Sequence, residues 1–243
     1  MPASPALDAK SPVSESVVVV IPTLNEAESI GAVIAALPRH VVDHIIVADG
    51  GSTDGTPQIA RNAGAEVIAA GTGYGRACLA GAEAAGDAGV LVFMDGDGAD
   101  DPDAIEKIVA ALRLGGYDFV IGSRTRGKRE DASMAGHQIL AGIVIGSLIR
   151  LLYGVQYTDM GAFRAVRRAT LFQLGMREMT YGWNLEMQMR AARAGLRIVE
   201  IPVDYRRRSG GRSKVTGSLR GSIKASARIV ATFFRVAIER KTK

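Results

Sequence analysis

Two carboxylates separated by a single glycine, Asp95-Gly96-Asp97, follow the apolar run Val90-Leu91-Val92-Phe93-Met94. Carboxylates at i and i+2 on a turn that contains glycine can converge on one hard cation. Mg²⁺ or Mn²⁺ bound this way keeps several waters and completes its shell with substrate phosphates. A cation so placed stabilises the negative charge that grows on a leaving diphosphate. The bland alternative is an acidic loop that caps the next helix, since Asp100, Asp101 and Asp103 follow at once.

Other candidates are weaker alone. Asp49-Gly50-Gly51-Ser52-Thr53-Asp54-Gly55 has glycines that let a backbone approach a ligand, or simply turn tightly. Asn25 and Glu26 are either ligand contacts or the start of a helix, because Asn25 precedes Glu28 by three residues, as in a capping box. Gly71-Thr72-Gly73-Tyr74-Gly75-Arg76 does not fit G-x-G-x-x-G, which argues against a nicotinamide cofactor. Arg76 opens a helix there, where it meets a phosphate or stays solvated. The lone Cys78 cannot form an intrachain disulfide and reads as an inert core thiol.

These residues need elements to hold them. Short Val/Ile-rich runs predict strands at Val17 to Pro22, His44 to Asp49, Glu66 to Ala70, Val90 to Asp95 and Phe119 to Ser123, with helical patterns between. Unbroken apolar runs mean strands covered on both faces, as in a parallel sheet. Ligands in such sheets sit beyond the carboxyl ends of the strands, which is where the candidates above fall. Thr56-Pro57 and Asp101-Pro102 read as helix starts. The second half predicts a long apolar helix around Ile139 to Tyr153, an irregular Tyr157 to Arg168 segment, a helix near Asn184 to Ala194 and a strand at Arg197 to Pro202.

A chain of 243 residues, 47% hydrophobic and 23% charged, fits one α/β domain, expected over residues 16–218. Residues 1–15, rich in Pro, Ser and Ala, read as a loose tail. No window approaches the uninterrupted apolar length of a spanning helix, and no signal peptide is legible, so the sequence predicts a cytoplasmic chain. The net charge of +5 is uneven: from Arg206 onward Glu239 stands alone against a dozen Lys and Arg. That end must face something acidic. Residues 219–243 form a basic amphipathic helix, with Leu219, Ile223, Val230, Phe233, Phe234 and Ala237 on one stripe and Arg220, Lys224 and Arg228 on another. The stripe either meets a membrane surface or packs on the sheet or a second subunit.

Taken in order, Val20-Ile21-Pro22-Thr23-Leu24-Asn25-Glu26, Asp49 to Thr56 and Asp95-Gly96-Asp97 strongly resemble the family-2 glycosyltransferases. Gly122-Ser123-Arg124, Thr158 to Arg164 and Arg206 to Lys214, ending Gly211-Arg212-Ser213-Lys214, resemble the branch with dolichyl- and polyprenyl-phosphate mannosyl- or glucosyltransferases. The resemblance implies a GT-A, Rossmann-like, mostly parallel sheet flanked by helices. It implies that Pro22, Asn25, Glu26 and Asp49 hold a nucleoside, that Asp95 and Asp97 bind Mg²⁺ or Mn²⁺, and that Arg124, Arg164, Arg212 and Lys214 face donor or acceptor phosphates. Ala99 stands where a polar residue often follows the metal pair.

The expected reaction is one in-line displacement that moves a sugar from a UDP- or GDP-linked donor with inversion. A polyprenyl phosphate acceptor is already an anionic nucleophile near pH 7. A soluble hydroxyl acceptor would need a base, for which Asp159 and Glu186 are the candidates. A lipid acceptor would place the chain peripherally on the cytoplasmic membrane face. Nucleic acid is not an expected partner. A nucleotidyltransferase would want a Gly-rich loop after the first strand, which Pro22-Thr23-Leu24-Asn25 is not, and a purely basic surface-binding protein has no use for Asp95 and Asp97.

Overall fold

A computed structural model of the chain describes residues 16–210 and 219–239, with the side chains of the last helix described from residue 224. The expected tail, Arg212 and Lys214 lie outside the described residues. The elements run β1 (Val17–Thr23), α1 (Ile30–Ala35), β2 (His44–Asp49), α2 (Thr56–Asn62), β3 (Glu66–Ala69), α3 (Tyr74–Ala84), β4 (Val90–Phe93) and α4 (Ala104–Leu114). Then follow β5 (Phe119–Ser123), α5 (Gly136–Tyr153), β6 (Arg164–Arg167), α6 (Arg168–Gln173), α7 (Trp183–Arg193), β7 (Ile198–Pro202) and α8 (Leu219–Ile238).

The strands form one seven-stranded sheet in the order β3-β2-β1-β4-β6-β5-β7. Every pairing is parallel except those of β6, which runs antiparallel to β4 and β5. β6 lies inside the Tyr157 to Arg168 segment expected to be irregular. Its four residues are too few for a periodicity to show, and its partners β4 and β5 are distant in sequence.

β1 shows why the sheet is covered twice. Val17, Val19 and Ile21 enter one apolar cluster with α1 and α4, while Val18 and Val20 enter another with α3 and α7. Burying each such side chain contributes about 1.5–3 kcal/mol. α4 presents Ile105, Ile108, Val109 and Leu112 to the sheet at helical spacing. α3 presents Gly75, Ala77, Cys78, Gly81 and Ala82. Its small face lets it lie close, and a Cβ at Gly81 would collide with Val20.

Two expectations about helix starts need correction. α1 begins at Ile30 behind Ser29, so Asn25 does not cap it. α4 starts at Ala104, two residues past Pro102. α2 starts at Thr56 as expected, with Gly55 in the left-handed region as its cap.

α5 departs further from expectation. It is 18 residues long with mean hydropathy 1.4, enough by length and composition to cross a membrane, and 17% of that window is buried. Its buried residues are Gly142, Gly146 and Ile149, and Gly146 presses against the Tyr157 backbone. Leu140, Ile143, Val144, Leu148, Leu151 and Leu152 are exposed. The sequence shows this helix but not its spanning length, because Arg150 and scattered glycines interrupt its apolar run. α8 packs on α7 through Ile229, Phe233 and Val236, leaving Val230, Phe234 and Ile238 exposed. The apolar stripe expected there therefore divides between the core and the surface.

Candidate active site

The carboxyl ends of β1, β2 and β4 lie side by side, with Thr23 level with Asp49 and Val20 with Phe93. The loops after β1 and β2 are stitched together by hydrogen bonds. Asn25, at φ 53 in the left-handed region, donates its backbone N–H to Ser52 Oγ at 2.8 Å and accepts from the Thr53 N–H at 2.8 Å. The Glu26 N–H donates to Thr56 Oγ1 at 2.8 Å. Asp49 is buried and accepts from the Gly51 and Ser52 N–H groups at 3.0 and 2.9 Å and from the Ser52 hydroxyl at 2.5 Å. Pro22 and Asp49 at the ends of β1 and β2, and Asn25 and Glu26 on the loop after β1, are thus brought together.

The turn after β4 carries the carboxylates. Gly96 is packed so tightly that a Cβ would come to 3.0 Å from Thr23 and 3.2 Å from Ile21. The Ser29 hydroxyl donates to the Gly96 carbonyl at 2.7 Å, which ties the start of α1 to the turn. Burial, then the nearby Asp97, pushes Asp95 up to about 7. Burial, then Asp95 and Asp97, pushes Asp100 up to about 8, and its carboxylate accepts from the Asp95 N–H at 3.2 Å. Desolvation of the carboxylates is the larger cause and their mutual repulsion the second. Arg208 answers part of that charge. Its guanidinium lies 3.0 Å from Asp97 and 3.1 Å from Glu26. In the sequence Arg208 lies in a basic stretch and within the Arg206 to Lys214 segment of the family resemblance, but no spacing rule connects it to a turn more than a hundred residues earlier.

A second constellation sits at the end of β5. Arg124 forks onto Asp159 through Nε and Nη2, both at 2.7 Å, while its backbone N–H donates to the same carboxylate at 2.9 Å. The guanidinium also lies over the Tyr205 ring, 4.9 Å from the centroid. Burial alone would raise the Asp159 carboxyl, but Arg124 outweighs it and holds it below the ordinary range. An ionised carboxylate committed to a guanidinium is a poor proton acceptor, so Asp159 reads as the clamp that aims Arg124.

Other candidates fall elsewhere. Arg164 is fully buried and spends its guanidinium on the carbonyls of Gly161, Ala162 and Asn184. Glu186, also fully buried, accepts from the Arg177 and Glu178 N–H groups and from Arg190 and Arg235. Neither side chain presents a group to the turn after β4. Arg76 is exposed on the first turn of α3. The glycines before it have a packing cause, because Cβ atoms at Gly73 and Gly75 would collide with the Met179 and Glu178 carbonyls. Gly75→Ala is therefore expected to destabilise the fold by about 1–3 kcal/mol through overpacking. Urea unfolding checks this, and an unchanged midpoint with weakened nucleotide binding would favour a phosphate loop instead. Cys78 is buried, and burial pushes its thiol well above the usual range, as expected of an inert core cysteine.

This geometry meets a clear pattern among known proteins, since the model of the family described as Glycosyl transferase family 2 matches residues 18–175. The chain belongs to glycosyl transferase family 2. An uncharacterized glycosyltransferase of Mycobacterium tuberculosis is 39% identical over 212 residues, covering 86% of this chain and 94% of the relative. The undecaprenyl-phosphate mannosyltransferase of Micrococcus luteus is 35% identical, over 84% of this chain and 89% of the relative. Among solved structures, glucosyl-3-phosphoglycerate synthase of M. tuberculosis, in complex with Mn²⁺, UDP-glucose and phosphoglyceric acid, superposes with a TM-score of 0.72. It covers 94% of this chain and 82% of its own at 23% identity, a likeness of fold. The GT-A architecture expected of this family-2 chain is the one observed.

Proposed function

We propose that this family-2 glycosyltransferase moves a sugar from a nucleotide-sugar donor to a polyprenyl phosphate, with inversion and with a divalent cation at Asp95 and Asp97. The observation that carries the acceptor assignment is the state of the two candidate bases. Asp159 is held ionised by Arg124, and Glu186 is enclosed in a network with Arg190 and Arg235. A phosphate monoester needs no base, because it is already an anion near pH 7; it needs a guanidinium to orient it, and Arg124 is aimed for that purpose. The mannosyltransferase of Micrococcus luteus, named for undecaprenyl phosphate, agrees with this reading.

The residues fit a divalent cation. Asp95, Asp97 and Asp100 crowd one turn, and an arginine already bridges Asp97 to Glu26. Among the described residues no group of three or more His, Cys, Asp or Glu could hold a metal ion, so Asp95 and Asp97 would supply the protein's share and the donor diphosphate much of the rest. Bound there, Mg²⁺ or Mn²⁺ supplies charge stabilisation to the departing nucleoside diphosphate. Asn25, Glu26 and Asp49 form the nucleoside wall beside it, with Pro22 at the end of β1. The experiment is a transfer panel of UDP- and GDP-sugars, each with and without a short polyprenyl phosphate. Lipid-dependent consumption of one donor supports the assignment, and transfer indifferent to the lipid refutes it.

A lipid acceptor also gives the exposed apolar faces a role. α5 and α8 converge at a cleft lined by Leu152, Tyr153, Ala192, Arg193, Ala237 and Glu239. α5 carries no acidic residue, and Arg150 and Lys224 are exposed on the two helices. Placed against an anionic bilayer, each basic side chain contributes about 1 kcal/mol. That contact would hold the chain on the cytoplasmic membrane face. Arg228 is a poor probe of it, because it pairs with Glu178 at 3.0 Å. The double substitution Leu148→Glu, Leu151→Glu is expected to abolish co-sedimentation with anionic vesicles, with the thermal midpoint preserved because both residues are exposed. Vesicle binding unchanged in that variant would exclude α5 from docking.

A further inference from the structure

One carboxylate oxygen of Asp97 is already taken by the chain's own cation. Nε and Nη2 of Arg208 lie 3.1 and 3.0 Å from Asp97 Oδ2, while Asp97 Oδ1 accepts from the Ala99 N–H at 3.0 Å. Nη2 also donates to Glu26 Oε1 at 3.1 Å, so one guanidinium joins the metal turn to the nucleoside wall. Arg208 sits on a strap, residues 205–210, laid across the turn. The Arg206 N–H donates to the Ala99 carbonyl at 2.8 Å, the Ser209 N–H donates to the Asp97 carbonyl at 2.9 Å, and Tyr205 bridges to Asp100. Gly98, at φ +78, leaves room for Ser209, whose hydroxyl a Cβ there would strike. Nη1 of Arg208 is buried without a hydrogen-bond partner among the described residues. That unmet donor makes the closed position of the side chain less stable than a fully bonded one.

We propose that Arg208 is a positioning residue that acts as the resident counter-ion of this site and competes with the divalent cation for Asp97 Oδ2. Cation binding and withdrawal of the guanidinium are then one coupled step. The coupling is reciprocal, so whatever holds the strap closed weakens cation binding by the same factor. Before the cation arrives, Arg208 keeps Asp97 and Glu26 from repelling one another. Once it arrives, the two positive groups repel one another across a single carboxylate oxygen. The inference rests on the reading that Asp97 is a metal ligand, and the experiment separates the two.

Mn²⁺ binding to the full chain, read by electron paramagnetic resonance without nucleotide, is the test. Arg208→Gln is expected to bind Mn²⁺ about tenfold more tightly than wild type, within the usual range of coupling between sites. Arg208→Lys, which keeps the charge but loses the fork, is expected between them. In the wild-type chain Mn²⁺ should also speed amide hydrogen exchange at Arg206 and Ser209 as the strap loosens. Equal or weaker Mn²⁺ binding in a folded Arg208→Gln would overturn the competition, because a purely structural arginine leaves the site less well formed when removed. If Asp97→Asn abolishes Mn²⁺ binding while Arg208→Gln does not tighten it, only the role of Arg208 fails. If Asp97→Asn binds Mn²⁺ like wild type, the metal reading fails with it.

Discussion

Asp97→Asn is expected to lower kcat by about 10²–10³-fold at saturating donor and Mn²⁺, the usual effect of removing one group that stabilises transition-state charge. The cause is local. Asp97 stands on a turn held by Gly96 packing against β1 and by the Ser29 hydroxyl, so its loss removes a ligand and leaves the scaffold. Its pair with Arg208 is largely buried, at 13% and 23% exposure of the two side chains, but the amide keeps an oxygen for the Ala99 N–H and its neutrality relieves the repulsion with Asp95 and Asp100. The thermal midpoint should therefore hardly move. Turnover near the wild-type value in saturating Mn²⁺, or wild-type activity indifferent to a chelator, would remove the cation from the account.

Glu186→Ala should behave in the opposite way. Its two oxygens accept from the Arg177 and Glu178 N–H groups at 2.9 and 2.6 Å, from Arg190 at 2.9 Å and from Arg235 at 3.0 Å. Removing a fully buried carboxylate leaves those donors unmatched, and breaking such a network costs about 3–5 kcal/mol. The loss falls on the joint between α7, α8 and the Arg177–Glu178 backbone. Denaturant unfolding should show it, whereas turnover per folded molecule, measured at low temperature, should stay within a few-fold of wild type. A stable variant with no turnover would restore Glu186 as a base and reopen the hydroxyl acceptor.

These two carboxylates show what the sequence could and could not convey. The Asp95-Gly96-Asp97 turn was legible because its chemistry is local: two carboxylates, a glycine and a preceding apolar strand. The five leading strands were legible for the same reason, since Val17 to Ile21 and Val90 to Met94 are unbroken apolar runs. Glu186 and Arg164 looked like functional polar residues, and only packing reveals that the first joins arginines from two helices and the second serves backbone carbonyls. β6 escaped notice because its pairing partners are remote in the chain. Arg208 escaped for a related reason, since a salt bridge across the fold leaves no spacing to read. The exposed face of α5 was hidden by its own glycines, which pack against Tyr157 and leave the large aliphatic residues outside.

The central claim, direct displacement by a lipid phosphate, is tested by the anomeric configuration of the product. With purified chain, Mn²⁺, a nucleotide-sugar donor and a short polyprenyl phosphate, nuclear magnetic resonance should show a glycosyl phosphate lipid of inverted configuration, formed one-for-one with nucleoside diphosphate. Retained configuration, or transfer to a hydroxyl acceptor while the polyprenyl phosphate stays unmodified, would contradict it.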